Sequence, residues 1–148
     1  MDADLPHLPQ PQAPGGVFVR RADADDAAFV FSYWLRDYFE RSRFAKGISK
    51  GLFMQLHHLL LERIIARSTI WIACDPEMPA IAYGFICSEA DTLHYLYVKR
   101  RFRRMGIGGL LLTAAGMSAG PKDFTHLTDE GVGLRRKFPL AEYNPYKV

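Results

Sequence analysis

Along this chain, apolar and polar positions alternate with two different periods. In DDAAFVFSYWLRDYFERS, residues 25–42, Ala27, Ala28, Phe31, Trp34, Leu35 and Tyr38 recur at helical spacing. Asp23 precedes this run as a helix cap, with Asp26 three residues further on. SKGLFMQLHHLLLERIIARS, residues 49–68, predicts a second helix with Leu52, Leu56, Leu59, Leu60 and Ile64 on one face. The runs STIWIACD, AIAYGFICSE and TLHYLYV are rich in β-branched and aromatic residues and predict three consecutive antiparallel strands. A short strand, VFVRRAD, comes before the helices. After the three strands, GIGGLLLTAAGMSAG predicts a helix broken at AGPKD, FTHLTD a fifth strand, and GVGLRRKF a short helix before Pro139. LAEYNPYKV leaves room for one short last strand. The pattern is that of a mixed α/β domain with helices covering a central sheet.

Composition narrows this. A chain of 148 residues can bury the core of one domain. Residues 1–16 have prolines at 6, 9, 11 and 14 and end in two glycines, so a disordered or extended tail is expected there, with the domain at 17–148. The net charge of +3 excludes a polycation, and the basic residues are clustered. If DPEMP centres a turn, Cys74 lies opposite Ile81 and Cys87 opposite Ser68, which predicts free buried thiols in a reducing cytosol. No run reaches the ~18 apolar residues of a membrane span, and the N-terminus lacks the order of a signal peptide. A cytoplasmic location is expected. His57 and His58 are adjacent, point in different directions and make a poor metal pair, so no metal is expected.

The candidate chemistry sits in VKRRFRRMGIGGLLL, residues 98–112. A strand ends at Val98, a basic turn follows, and a helix begins near Gly106. A helix start presents unpartnered N–H groups with partial positive charge. Glycines at 106, 108 and 109 let an anion approach that backbone, and arginines on the turn add fork-like donors. A phosphate-bearing ligand is implied. The Rossmann and P-loop spacings are both absent. Val98, Arg103, Gly106 and Gly108 instead match a valine ending the fourth strand followed by Gln/Arg-x-x-Gly-x-Gly/Ala. This segment resembles the acetyl-CoA signature of the GNAT N-acetyltransferase superfamily, and the order of elements over about residues 17–138 is similar to that fold.

The resemblance implies acetyl-CoA as co-substrate. Its pyrophosphate would rest on the backbone from Arg103 through Arg104, Met105, Gly106, Ile107 and Gly108 to Gly109. Pantetheine would run along Leu96, Tyr97 and Val98 like an added strand, and Arg100 or Arg101 would meet the 3′-phosphate. LHYLYVKRRFRRMGIG is also similar to the corresponding strand of arylalkylamine N-acetyltransferases, which implies proton removal by His94, on the strand parity of Leu96 and Val98. Glu89, near Asp91 at the preceding turn, is the alternative base. The family's acid is commonly a tyrosine on the helix after the fifth strand. That helix here has none, which leaves Tyr143 and Tyr146 around Asn144 as candidates. The FSYWLRDYF, THLTD and YNPY segments also resemble small phage-encoded GNAT-like proteins. The C-terminus is short for the family, so a homodimer through that edge, or a partner docked on it, completing the acceptor side, is expected. The competing readings are a catalytically weak acyl-CoA- or protein-binding module of the same fold, and a small nucleic-acid-binding domain using residues 99–104, the weaker of the two because no stacking platform accompanies the basic run.

Overall fold

The computed structural model describes residues 16–148, so all of the expected tail but Gly16 lies outside the described residues. The described residues form a six-stranded sheet in the order β1 to β6: β1 Phe18–Arg21, β2 Thr69–Cys74, β3 Ala82–Glu89, β4 Thr92–Val98, β5 Asp123–Phe124 and β6 Glu142–Tyr143. The first four strands pair antiparallel, while β5 and β6 each run parallel to the strand before. Helices α1 (Ala27–Arg41) and α2 (Lys50–Ala66) follow β1, α3 (Ile107–Ala114) follows β4, and α4 (Asp129–Lys137) follows β5.

Strand alternation divides the core in two. Phe85, Cys87, Tyr95 and Tyr97 face the α1–α2 side with Trp34 and Tyr38. Ile86, Leu93, Leu96 and Val98 face the α3 side with Ile107 and Leu111. Asp23 caps a single 3-10 turn, Ala24–Asp26, that leads into α1, with Asp26 closing a capping box. Arg20 holds Asp26 through a two-nitrogen contact at 2.8 and 2.9 Å.

Several expectations are corrected. On α1, Ala27 and Ala28 are exposed and Val30 is buried beside Trp34, Leu35 and Tyr38. On α2 the buried face is Phe53, His57, Leu61 and Ile64, while Leu52, Leu56 and Leu59 are about half exposed. Leucines surround this helix, so periodicity cannot choose a face. Aromatic fit chooses it: the His57 ring stacks on Phe53 at 4.7 Å and on Tyr38 at 5.3 Å. The cysteine register also differs, with Cys74 opposite Ala82 and Cys87 opposite Ile70. A bulge beside Ala73/Cys74 and a wider turn, closed by Asp75 N–H donating to the Ile81 carbonyl, shift the pairing. Both thiols are free and buried, as expected. The fifth strand is two residues long rather than the whole of FTHLTD, because the chain leaves β4 after Phe124.

Candidate active site

β4 and β5 pair only at Thr92–Asp123 and Leu93–Phe124, with one further bond from Thr125 N–H to the Leu93 carbonyl at 3.1 Å. Beyond that point they diverge, and among the described residues β4 from Tyr95 to Val98 keeps β3 on one side and no strand on the other. A cleft of about 240 Å³ opens there, running from Gly106 and Gly108 along Leu96–Val98 to His94, Phe124 and His126.

Its loop end is built from backbone. Lys99 N–H donates to the Tyr83 carbonyl at 2.8 Å, and Phe102 packs on the Tyr83 ring at 4.3 Å. Arg103 Nε–H donates to the Val98 carbonyl at 2.7 Å, folding the turn back on the strand. Arg104 (φ 65°) and Gly106 (φ 79°) then take left-handed conformations that swing the chain into α3. A Cβ on Gly109 would meet nothing within 4 Å, and one on Gly108 only the tip of Leu96 at 3.9 Å. Protein packing therefore does not require either glycine. What they keep open is the approach to the first N–H groups of α3, which have no intrahelical acceptor. These residues fit a pyrophosphate. Arg103, Arg104, Gly106, Ile107 and Gly108 line the cleft with Leu96, Tyr97 and Val98, whereas Arg101, Met105 and Gly109 stand outside its lining. Lys99 turns away, its ammonium lying 5.5 Å from the rings of Phe29 and Tyr33 on α1.

The other end is built from side chains. β4 carries a bulge at His94: Tyr95 pairs with Cys87 and Leu93 with Ser88, so His94 has no partner in the register. The expected parity with Leu96 and Val98 ends at this residue. The His94 ring is fully buried. Its Nε2 is 3.0 Å from Glu89 Oε1 and its Nδ1 is 2.9 Å from Thr125 Oγ1. Thr125 Oγ1 is 2.9 Å from His126 Nδ1, and His126 Nε2 is 2.9 Å from His57 Nε2. Arg67 Nε–H donates to both oxygens of Glu89, at 3.0 and 3.1 Å.

One proton arrangement satisfies this chain. The bonds from His94 and Arg67 hold the Glu89 carboxyl below its usual range, so it is ionised and only accepts. Burial lowers His94 despite the opposing pull of Glu89, so the ring is neutral with its proton on Nε2. Its Nδ1 then accepts from the Thr125 hydroxyl, Thr125 accepts from His126 Nδ1–H, and His126 Nε2 accepts from His57 Nε2–H. Burial keeps both of these rings neutral: His57 falls to about 4, and His126 goes well below the ordinary histidine value.

The structure thus brings Glu89 and His94 together but sets the tyrosines apart. Tyr143 packs on Phe124 with ring centroids 5.5 Å apart and tilted by 31°, and Tyr146 is 90% exposed; neither lines the cleft. Sequence reasoning missed Thr125, His126, His57 and the cleft carboxylate Asp37, which accepts from the Tyr95 hydroxyl at 2.6 Å. The one available signal was the Thr125–His126 pair inside FTHLTD, where two polar residues interrupt an apolar run. Among the described residues, no group of three or more His, Cys, Asp or Glu could hold a metal ion, and no helix is long and apolar enough to cross a membrane.

No family model matches the sequence, and no curated protein matches it. Solved structures do match. A GCN5-related N-acetyltransferase from Ralstonia eutropha JMP134 superposes with a TM-score of 0.58 at 17% identity, over 90% of this chain and 95% of that one. YjaB from Escherichia coli, in its apo form, gives 0.57 at 17% identity over 82% and 80%. A GCN5-related N-acetyltransferase from Rhodopseudomonas palustris gives 0.51 at 13% identity over 74% and 67%. The chain has the fold of the GNAT N-acetyltransferases.

Proposed function

We propose that this chain is an N-acetyltransferase that moves an acetyl group from acetyl-CoA directly to a primary amine. The observation that carries this reading is the cleft lining, in which Arg104, Gly106 and Gly108 at the start of α3 adjoin the unpaired edge of β4 from Leu96 to Val98. Acetyl-CoA supplies the activated acyl group as a thioester. The α3 amides and Arg104 hold the pyrophosphate, with Arg100 or Arg101 toward the 3′-phosphate, and the free edge of Leu96–Val98 takes the pantetheine amides. A β4 backbone N–H near Val98 polarises the thioester carbonyl. The Glu89–His94 pair receives the amine proton. Tyr143, packed against the cleft residue Phe124, is the tyrosine assigned to protonate the leaving thiol.

A second reading, a coenzyme-binding module with weak catalysis, is favoured by the full burial of His94 and the placement of both tyrosines outside the cleft. Calorimetry with acetyl-CoA and thiol release with phenethylamine, spermidine and a lysine peptide as amine probes separate the two. Binding with turnover supports transfer, binding without turnover supports the module, and absence of binding rejects both. The homodimer belongs to the same proposal: β6 is two residues long and forms the outer edge of the sheet among the described residues. Light scattering at micromolar concentration checks it, and a monomer with full turnover rejects it.

A further inference from the structure

The glycines around the cleft differ in what their missing side chains spare. Gly108 and Gly109 face room, but Gly84, inside β3, faces backbone. A Cβ there would run into the carbonyl oxygen of Tyr97, and would stand 3.0 Å from Val98 Cα and 3.2 Å from the Tyr97 carbonyl carbon. None of these atoms can turn aside as a side-chain tip would. A glycine inside a strand costs stability and marks a place where another backbone comes close. Here that backbone is the stretch of β4 that borders the cleft.

Two hydrogen bonds fix which way this stretch faces. Lys99 N–H donates to the Tyr83 carbonyl at 2.8 Å, one step beyond the Gly84–Val98 pair of the register. In an antiparallel ladder such bonds recur at every second residue. Lys99 and Tyr97 therefore bond toward β3, while Leu96 and Val98 turn their backbone groups toward the cleft. The Val98 carbonyl agrees, since it accepts from Arg103 Nε–H at 2.7 Å on that side. The Val98 N–H is left facing the cleft. It belongs to the same flat peptide as the Tyr97 carbonyl and points the opposite way. Where Gly84 lets that carbonyl lie, the Val98 N–H follows.

We propose that Gly84 is a positioning residue for the acyl arm of the coenzyme: by admitting the Tyr97 carbonyl, it aims the Val98 N–H at a carbonyl of that arm. The proposal rests on the acetyltransferase reading. Gly84 touches neither coenzyme nor amine, and acts through one peptide plane.

In Gly84→Ala the peptide must rotate or β4 must move, and the Val98 N–H leaves its line. Acetyl-CoA affinity should fall about 10-fold, the value of one hydrogen bond. Affinity for adenosine 3′-phosphate 5′-diphosphate, which carries the coenzyme's phosphates without the arm, should stay at the wild-type value by calorimetry. A generally distorted protein would lose both. Val98→Pro deletes the same N–H and no bond to β3, and should cause a similar loss. Adding Gly84→Ala to Val98→Pro should then cost little more. Full additivity of the two losses overturns the proposal, as does wild-type acetyl-CoA affinity in folded Gly84→Ala. A Gly84→Ala chain that does not fold assigns Gly84 to the sheet as a whole and also overturns it. Amide NMR of the unaltered chain needs no variant. Acetyl-CoA should shift the Val98 amide and slow its exchange with solvent, and the armless nucleotide should do neither. A Val98 amide that stays unchanged when acetyl-CoA binds overturns the proposal. Failure of the unaltered chain to bind acetyl-CoA overturns the acetyltransferase reading instead. In the free chain, fast exchange at Val98 beside slow exchange at Tyr97 and Lys99 does not depend on that reading.

Discussion

The two ends of the cleft are made of different material. The loop end, Val98 to Gly109, is one continuous stretch whose working groups are backbone amides, held open by glycines that packing does not require. The opposite end is five side chains from four elements, each buried or half-buried and each bonded to the next. The loop end can tolerate motion, since its amides only need to stay exposed. The histidine end cannot, because a neutral buried ring that loses its partner leaves an unpaired polar atom, at a cost of about 1–3 kcal/mol. On the proposed acetyltransferase reading, the difference makes coenzyme affinity and proton handling separable by mutation.

The largest expected effect tests that separation from the loop side. Gly108→Val should block phosphate contact with the α3 amides. Losing two charge-assisted hydrogen bonds corresponds to at least about 10²-fold in acetyl-CoA affinity. Melting temperature should stay near the wild-type value, because the new side chain meets only Leu96. Calorimetry and a thermal melt read both, and unchanged affinity would remove the phosphate assignment.

From the other side, His126→Leu should cost about 1–3 kcal/mol of stability by orphaning His57 and Thr125, with acetyl-CoA affinity unaffected. Urea unfolding measures the first. A loss of affinity equal to the loss of stability would show that the two ends act as one unit.

Acid should sharpen the contrast. The His57 ring titrates near 4 in the folded chain and near 6.5 when unfolded. Between those values the unfolded state binds the extra proton, so its contribution to stability is present above pH 6.5 and fades as pH falls toward 4. His126, lowered in the same direction by burial first, adds to the trend. His57→Phe should flatten melting temperature against pH across that window, and an unchanged slope would place the acid sensitivity elsewhere.

The smallest effect is expected on the exposed side of α2. Leu56→Gln should change stability by no more than about 0.5 kcal/mol, since Leu56 is 54% exposed. A large loss there would mean that this face is covered in solution.

The same contrast decides what could be read from the sequence. Val98, Arg103, Gly106 and Gly108 are neighbours in the chain, so their spacing already states the geometry, and the strand–turn–helix order around them is what the structure shows. Glu89 and His94 were within reach because one short turn joins β3 to β4. His57 was not. Its partner is 69 residues away, and the side of α2 that faces inward is set by the Tyr38 and Phe53 rings rather than by leucine periodicity. Thr125 and His126 were hidden in a run that reads as strand but leaves the sheet after Phe124. Tyr143 and Tyr146 attracted attention by residue type alone, and the fold places neither on the cleft.

The bulge at His94 has a consequence for evolution by length change. Remove that one residue, and Leu93 and Tyr95 become neighbours already paired with the neighbours Ser88 and Cys87, on the faces they now occupy. A chain of 147 residues could therefore build an unbroken β3–β4 ladder. For the β3–β4 ladder, position 94 is a surplus residue, which strand pairing alone gives no reason to keep. A His94 deletion variant is expected to retain its secondary structure by circular dichroism and to lose acetyl transfer.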